Sequence, residues 1–269
     1  MLKDNIIDAF DDVQVDYAVA FKNVTSGETL FIRADEDFHA ASTMKTPVMM
    51  EVFAQARKGK FSLNDSILIK NEFKSIVDSS LYSLSPGDDS ETQLYNSSDS
   101  YHKIIDVVYS MIIASSNLAT NSIIELVGAE NVTKSMRVLG AEQINVLRGV
   151  EDLKAYELGL NNTTTARDLM IIFESLLNGT YPKEDTDRMI NILLDQKFNE
   201  IIPGLLPGSV KVAHKTGSIS GVQHDSGIIF LPDDRKYVLV LLTKNGEDSK
   251  KVVHAMANVS RIIYDNMSK

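Results

Sequence analysis

Three short polar motifs in the chain carry side chains that could catalyse a reaction. The first is Ser42-Thr43-Met44-Lys45, where a hydroxyl and an amine stand three positions apart, just before an apolar run that begins at Val48. Three residues along a helix turn by about 300°, so the Ser42 hydroxyl and the Lys45 amine would share one helix face. Lys45 would then be the nearest base for a serine nucleophile.

The first motif is not specific when taken alone. Ser100-Tyr101-His102-Lys103 matches the same pattern beside a polar stretch, and a serine that precedes a helix is ordinarily its N-cap. To act near neutral pH, Lys45 would need its pKa to fall by about 3 units from about 10.4, which burial beside a second cation, Lys215, could achieve. The alternative is a carboxylate that acts through a water molecule while Lys45 stays charged.

The second and third motifs make a catalytic interpretation stronger. Ser115-Ser116-Asn117 interrupts an apolar helical pattern, at a point where a junction between two helices would be buried. His214-Lys215-Thr216-Gly217-Ser218 ends a predicted strand, where Gly217 would let a substrate approach the backbone closely. Each motif also has a purely structural interpretation, the second as a helix cap and the third as an ordinary strand-to-turn sequence.

The composition excludes several other kinds of chemistry. The 269 residues include 27 basic and 37 acidic side chains, a net charge of −10, which disfavours nucleic acid and anionic membranes as partners. There is no cysteine, and the five histidines form no HxH or HExxH pair, so we expect neither metal nor other cofactor. No apolar run is long enough to span a membrane, and the first residues lack a signal-peptide pattern.

Hydrophobic patterning predicts an α/β protein in which both chain ends build one five-stranded antiparallel sheet with flanking terminal helices. The predicted elements are a helix at 3–11, strands at 15–24, 29–34, 209–215, 224–231 and 236–243, and a helix at 248–267. The intervening chain is helical in pattern, except for a Ser- and Asp-rich stretch at 75–100 that predicts a long surface loop. We therefore expect an α/β lobe (1–40 and 205–269), an all-helical lobe (41–204), and an active site between them.

The order Ser-x-x-Lys, Ser-x-Asn, Lys-Thr-Gly resembles the three-part signature of the penicillin-recognising serine enzymes. The segment from Gly149 to Met170 is similar to a loop region of class A β-lactamases, and the likeness covers nearly the whole chain. The resemblance implies an acyl-enzyme on Ser42 and a proton relay through Ser115 to the departing amine. It also implies an oxyanion hole formed by the backbone N–H groups of Ser42 and Ser218.

The same resemblance implies how a substrate would be held. Asn117 would hydrogen-bond the acyl side-chain amide, and Lys215, Thr216 and Ser218 would face the substrate carboxylate beside Gly217. Class A enzymes often keep an Arg that binds this carboxylate, whereas the corresponding strand here offers only His224, which could equally be a satisfied core histidine.

The sequence departs from the class A pattern at two places where those enzymes carry a carboxylate. Ser116 stands where class A enzymes carry Asp, which we expect to alter the support of the loop rather than the chemistry. The usual Trp-Glu-Pro-x-x-Asn run is missing. Glu151 is the first candidate for the carboxylate that activates the hydrolytic water, with Asp152 second and Glu157 third. Alternatively, Glu151 pairs with Arg148 in a structural role.

The function expected from these residues is that of a serine β-lactamase of class A type. A D-Ala-D-Ala carboxypeptidase or esterase that deacylates poorly is the alternative, and a non-catalytic penicillin-binding sensor is a third hypothesis. By resemblance, we expect a monomer that acts on a small molecule and lies in the periplasm or is secreted, with any export signal removed from the chain.

Overall fold

Both ends of the chain form a single five-stranded antiparallel sheet, as the sequence predicts. A computed structural model describes residues 2–268. The strands of this sheet are β1 (Asp16–Asn23), β2 (Thr29–Ile32), β9 (Lys211–Ile219), β10 (Val222–Phe230) and β11 (Lys236–Lys244). Their spatial order is β2-β1-β11-β10-β9, so β9 forms one edge of the sheet.

Helices make up most of the remaining chain. They are α1 (Leu2–Asp8), a 3₁₀ turn (Ala41–Met44), α2 (Lys45–Arg57), α3 (Gln93–Asn96), α4 (Ile104–Ile113), α5 (Asn117–Val127), α6 (Ala129–Val138), α7 (Leu153–Glu157), α8 (Ala166–Ser175), α9 (Lys183–Leu194) and α10 (Ser249–Met267). None of these helices is long and apolar enough to cross a membrane in the described part of the chain.

Three two-stranded ribbons accompany the helices of the insertion. They are formed by β3 (Phe38–His39) with β8 (Thr163–Thr164), β4 (Ser66–Leu68) with β7 (Tyr101–Lys103), and β5 (Phe73–Lys74) with β6 (Leu81–Tyr82). Two of the ribbons frame the predicted surface loop at 75–100, which also contains α3. This stretch is therefore anchored at several points along its length.

The alternating apolar residues of the central strands divide between two cores, as expected for a sheet covered on both faces. On one face, Phe21, Leu239 and Leu241 pack with residues of α1 and α10. On the other face, Val240 and Leu242 join the core that contains α2 and α8. Helix α2 is buried over most of its surface, so the motif at its start is held rigidly between the sheet and the helical insertion.

Strand β9 is longer than the sequence predicts. Its pairing with β10 continues to the pair Ile219 and Val222, so the Lys-Thr-Gly motif lies inside the strand rather than at its end. Gly221 closes the tight turn to β10 with a φ of 73°, a conformation that favours glycine. The motif thus lies along the edge strand of the sheet, with Lys215 buried and Thr216 partly exposed.

Candidate active site

The three polar motifs meet in one cleft of about 880 Å³. Its walls come from the 3₁₀ turn before α2, the junction of α4 and α5, and the edge strand β9. The motif residues that line it are Ser42, Ser115, Asn117, Thr216, Gly217 and Ser218. All the predicted substrate-facing residues except the buried Lys215 therefore open onto the same space.

Lys45 is fully buried at the start of α2, three residues after Ser42. Its Nζ donates to the Ser115 carbonyl oxygen at 2.7 Å, to Asn117 Oδ1 at 2.8 Å and to Ser115 Oγ at 3.2 Å. Burial lowers the pKa of Lys45 to about 7, although the negative charges of Asp89 and Glu151 oppose the fall. Near neutral pH, a substantial fraction of this amine is unprotonated and able to accept a proton.

The Ser115 hydroxyl lies between two lysine amines. Its Oγ is 3.2 Å from Lys45 Nζ and 3.0 Å from Lys215 Nζ, and Lys215 also donates to the Thr216 carbonyl oxygen at 2.8 Å. Burial lowers the pKa of Lys215, and the charge of Lys45 lowers it further. Ser115 has a φ of 56°, an uncommon backbone conformation for a non-glycine residue. A hydroxyl in this position can pass a proton between the two amines.

Asn117 links Lys45 to a carboxylate. Its Oδ1 accepts from Lys45, and its Nδ2 donates to Glu151 Oε1 at 2.6 Å, so both ends of the amide are fixed by their partners. Glu151 is half-buried and has a φ of 62°. Burial is the main cause that raises the pKa of Glu151. The first-ranked carboxylate of the sequence analysis thus reaches the site.

Neighbours of Glu151 have structural contacts instead. Asp152 is buried, and its carboxylate accepts from Ser75 Oγ at 2.9 Å, Ile76 N at 2.9 Å and Ala155 N at 3.2 Å. It therefore caps α7 and holds the 75–100 loop, whereas Glu157 is exposed.

The alternative pairing of Glu151 with Arg148 is wrong. The Arg148 guanidinium donates to the carbonyl oxygens of Leu160 and Gly149, both at 2.9 Å, and to Asn161 Oδ1 at 3.2 Å. Its role is to close the segment that carries Glu151.

Gly217 allows β9 to lie against the turn that carries the nucleophile candidate. A Cβ atom at this position would lie 3.1 Å from Ser42 N, 3.1 Å from Thr43 N and 3.2 Å from Ala41 Cβ. These contacts are tighter than ordinary van der Waals contact, so a side chain there would separate the strand from the turn. Ser42 and Ser218 both line the cleft beside this approach.

His224 is a satisfied core histidine. Its ring is buried, Nε2 donates to the His39 carbonyl oxygen at 2.9 Å, and Nδ1 accepts from Thr243 N at 3.1 Å. Burial lowers the pKa of His224 to about 4, so the ring is neutral near pH 7 and supplies no cation for a substrate carboxylate. Lys250 of α10 stands in the cleft wall instead.

The second Ser-x-x-Lys sequence lies away from the cleft. Ser100 Oγ bonds the Ser97 carbonyl oxygen and lies 2.8 Å from His102 Nε2, at the start of the ribbon strand β7. Within residues 2–268 no group of His, Asp and Glu is arranged to hold a metal ion.

One residue near the site was missed by the sequence analysis. Asp89, in the 75–100 loop, accepts hydrogen bonds from the backbone N–H groups of Asn117 and Leu118. It stands 28 positions before Asn117 in an irregular stretch, where no periodicity or motif indicates which distant element it will contact.

Comparisons with known proteins found relatives that match most of the chain. A model of the β-lactamase enzyme family matches residues 1–267. The extended-spectrum β-lactamase PER-1 of Pseudomonas aeruginosa is 24% identical over 249 residues, which cover 88% of this chain and 78% of that protein.

Solved structures share the fold. A β-lactamase from Chitinophaga pinensis superposes with a TM-score of 0.87 at 21% identity and 99% coverage of both chains. A mutant of PBP-A, solved as an acyl-enzyme complex with penicillin G, has a TM-score of 0.84 at 24% identity, and the match covers 99% of this chain and 96% of that chain.

Proposed function

The chain belongs to the β-lactamase enzyme family, and from this premise we propose that it hydrolyses the amide bond of β-lactams through an acyl-enzyme on Ser42. The family match over residues 1–267 supports the class of substrate. The observation that carries the mechanism is the chain of hydrogen bonds from Lys45 through Asn117 to Glu151, which joins the two candidate bases.

In the acylation step, neutral Lys45 takes the proton of Ser42 as Oγ bonds to the lactam carbonyl carbon. The backbone N–H groups of Ser42 and Ser218 bind the oxyanion, and one such donor is typically worth about 3 to 4 kcal/mol in the transition state. When the carbon–nitrogen bond breaks, Ser115 gives its proton to the departing nitrogen and regains one from a neighbouring lysine. The position of Ser115 Oγ between both amines supports this relay.

In the deacylation step, Glu151 takes a proton from a water molecule as the water oxygen attacks the ester carbonyl carbon. Protonated Glu151 returns this proton to the Ser42 oxygen as the carbon–oxygen bond breaks, so both groups regain their starting states. A positioned general base contributes typically about 10²- to 10⁴-fold to such a step. The half-burial of Glu151 and its bond to Asn117 support this role, because Asn117 itself lines the cleft.

Substrate binding completes the proposal. Thr216 and Ser218 along β9 hold the substrate carboxylate, with Lys215 buried between them and Ser115, and the Asn117 amide contacts the acyl side chain. Export from the cytoplasm and a monomeric state belong to the same proposal, because they follow from the resemblance described above.

Intact-mass spectrometry after mixing with benzylpenicillin tests the mechanism. The wild type should show a transient adduct, Ser42→Gly no adduct, and Glu151→Gln an adduct that persists at least about 100-fold longer. Glu157→Gln is the matched control, since this exposed carboxylate lies in the same segment, and its adduct should decay at the wild-type rate.

Other outcomes would support the competing functions. A persistent adduct on the wild-type protein would favour a carboxypeptidase, an esterase or a sensor, and would contradict the deacylating role of Glu151. The absence of any adduct would refute the acyl-enzyme on Ser42.

A further inference from the structure

The loop at 75–100 returns to the site through the carboxylate of Asp89. Asp89 Oδ2 accepts from Asn117 N at 2.9 Å and from Leu118 N at 3.1 Å, the first two backbone N–H groups of α5. These groups have no partner within a helix, and the helix dipole favours a negative charge beside them. The helix that carries Asn117 is thus held by a residue from a different part of the chain.

Ser116 alone cannot hold this turn. As the N-cap residue, it accepts from Ala119 N at 3.3 Å through its hydroxyl, which satisfies only the third N–H of α5. Asp89 supplies the acceptors for the other two. The carboxylate of Asp89 and the hydroxyl of Ser116 therefore divide the capping of α5 between them.

Asp89 is itself fixed by its own loop. The Tyr95 hydroxyl donates to Asp89 Oδ2 at 2.9 Å, and Glu91 N donates to Asp89 Oδ1 at 3.2 Å. The side chain is partly buried. Because hydrogen bonds from both the loop and the helix converge on one carboxylate, a substitution of Asp89 will alter the position of the first turn of α5.

The charge of Asp89 also acts on the site. It raises the pKa of both Lys45 and Glu151, in the first case against the larger effect of burial. The other ionisable groups near these residues are Lys215, which is linked to Lys45 through Ser115, Tyr95 beside Asp89, and Glu91 and Asp88 along the same loop.

We propose that Asp89 is a positioning residue for the reaction, because it fixes the turn that presents the Asn117 amide to Lys45 and Glu151. This inference rests on the proposed function. Asp89 touches neither the nucleophile nor the expected position of the lactam, so its effect is exerted through Asn117 and Lys45. The 75–100 loop then serves the active site, in addition to forming surface.

Two variants separate the positioning role from general stabilisation. Asp89→Asn keeps a side chain of the same size and one oxygen acceptor, but removes the charge that favours protonated Lys45. In this variant, the midpoint of the fall in kcat/KM at low pH, measured with a chromogenic cephalosporin, should move to lower pH by about half a pH unit. Asp89→Ala also removes the acceptors, and its maximal kcat/KM should fall about tenfold, measured well below its thermal midpoint.

Asp99→Asn is the control with the same change of charge. Asp99 is exposed on the same loop, and its φ of 63° is a conformation that Asn tolerates. This variant should keep the wild-type pH profile, kcat/KM and thermal midpoint.

The proposal is overturned if Asp89→Asn retains both the pH limb and the kcat/KM of the wild type, even where its thermal midpoint falls, because Asp89 would then be structural only. If Asp89→Ala does not fold, Asp89→Asn decides by the same readouts. A wild-type protein that penicillin does not acylate would refute the proposed function and this inference with it, whereas an acylated wild type with an insensitive Asp89 refutes this inference alone.

Discussion

Substitution of Gly217 by Ala tests whether β9 must lie as close as it does to the turn that carries Ser42. In Gly217→Ala the new Cβ would lie 3.1 Å from Ser42 N and Thr43 N and 3.2 Å from Ala41 Cβ. Two of these neighbours are backbone atoms, so no rotation of a flexible side chain can relieve the contact. The strand and the turn must therefore move apart by a few tenths of an ångström.

The size of the expected loss in kcat/KM depends on how far this separation would displace the two oxyanion donors. Ser42 belongs to the turn and Ser218 follows Gly217 on β9, so their separation would move the two proposed oxyanion donors relative to each other. A misplacement of about 1 Å can cost about 100-fold in rate. A shift of a few tenths of an ångström should then cost about 1 kcal/mol in the transition state, or about fivefold to tenfold in kcat/KM. Stability should change little, because the lost chain entropy of glycine offsets the strain.

The assay is steady-state hydrolysis of a chromogenic cephalosporin together with a thermal melt. Gly208→Ala is the matched control: its Cβ would meet no atom within 4 Å, and it lies outside the cleft walls. This control should keep wild-type kcat/KM. An unchanged kcat/KM in Gly217→Ala, with the fold intact, would refute the idea that the close approach of β9 sets the geometry of the oxyanion hole.

Three further predictions concern titration and stability. Because burial lowers the pKa of Lys45 to about 7, kcat/KM should fall as pH decreases through about 7; a profile flat down to pH 5 would contradict Lys45 as the base. Asp152→Ala should lower the free energy of unfolding by about 2 kcal/mol and the thermal midpoint by about 4 to 8 °C, since three hydrogen bonds are lost, while Glu157→Gln stays at the wild-type midpoint. Burial lowers the pKa of His224 from 6.5 in the unfolded chain to about 4 in the folded protein, so the unfolded chain binds a proton first as pH falls. The free energy of unfolding is therefore at its full value above pH 6.5 and decreases by roughly 3 kcal/mol as pH falls to 4. Denaturant titrations at several pH values should show this loss disappear in His224→Gln and persist in His254→Gln.

The sequence predicted the site well where function depends on local spacing. Lys45 follows Ser42 by three positions, and Lys215 and Gly217 share one strand, so their relative placement follows from helix and strand geometry alone. The order of the motifs also predicted their convergence, because both chain ends supply the sheet and β9 is its edge. The end of β9 was placed four residues too early, at residue 215 where the strand continues to Ile219, because residues 216–218 of β9 are Thr, Gly and Ser and their partners on β10 are polar.

Contacts between irregular segments could not be predicted in this way. Asp152 and Glu151 are adjacent acids, yet one is turned inward to cap α7 and the other faces Asn117. This difference depends on the φ of 62° at Glu151, which no sequence pattern indicates. Asp89 was hidden for the same reason, since hydrogen bonds to the distant helix α5 define its role.

The pH dependence of this site belongs to a pair of groups rather than to a single base. Burial lowers the pKa of Lys45 and raises that of Glu151, so the two values approach each other, while the attraction between the charged forms separates them again. Since Asn117 bonds both groups, the protonation of Lys45 and that of Glu151 are coupled. Replacing Glu151 by Gln removes a charge that favours protonated Lys45. The acid limb of acylation will therefore shift to lower pH in that variant even though Glu151 acts only in deacylation, and the lifetime of the acyl-enzyme is the measurement that isolates its catalytic role.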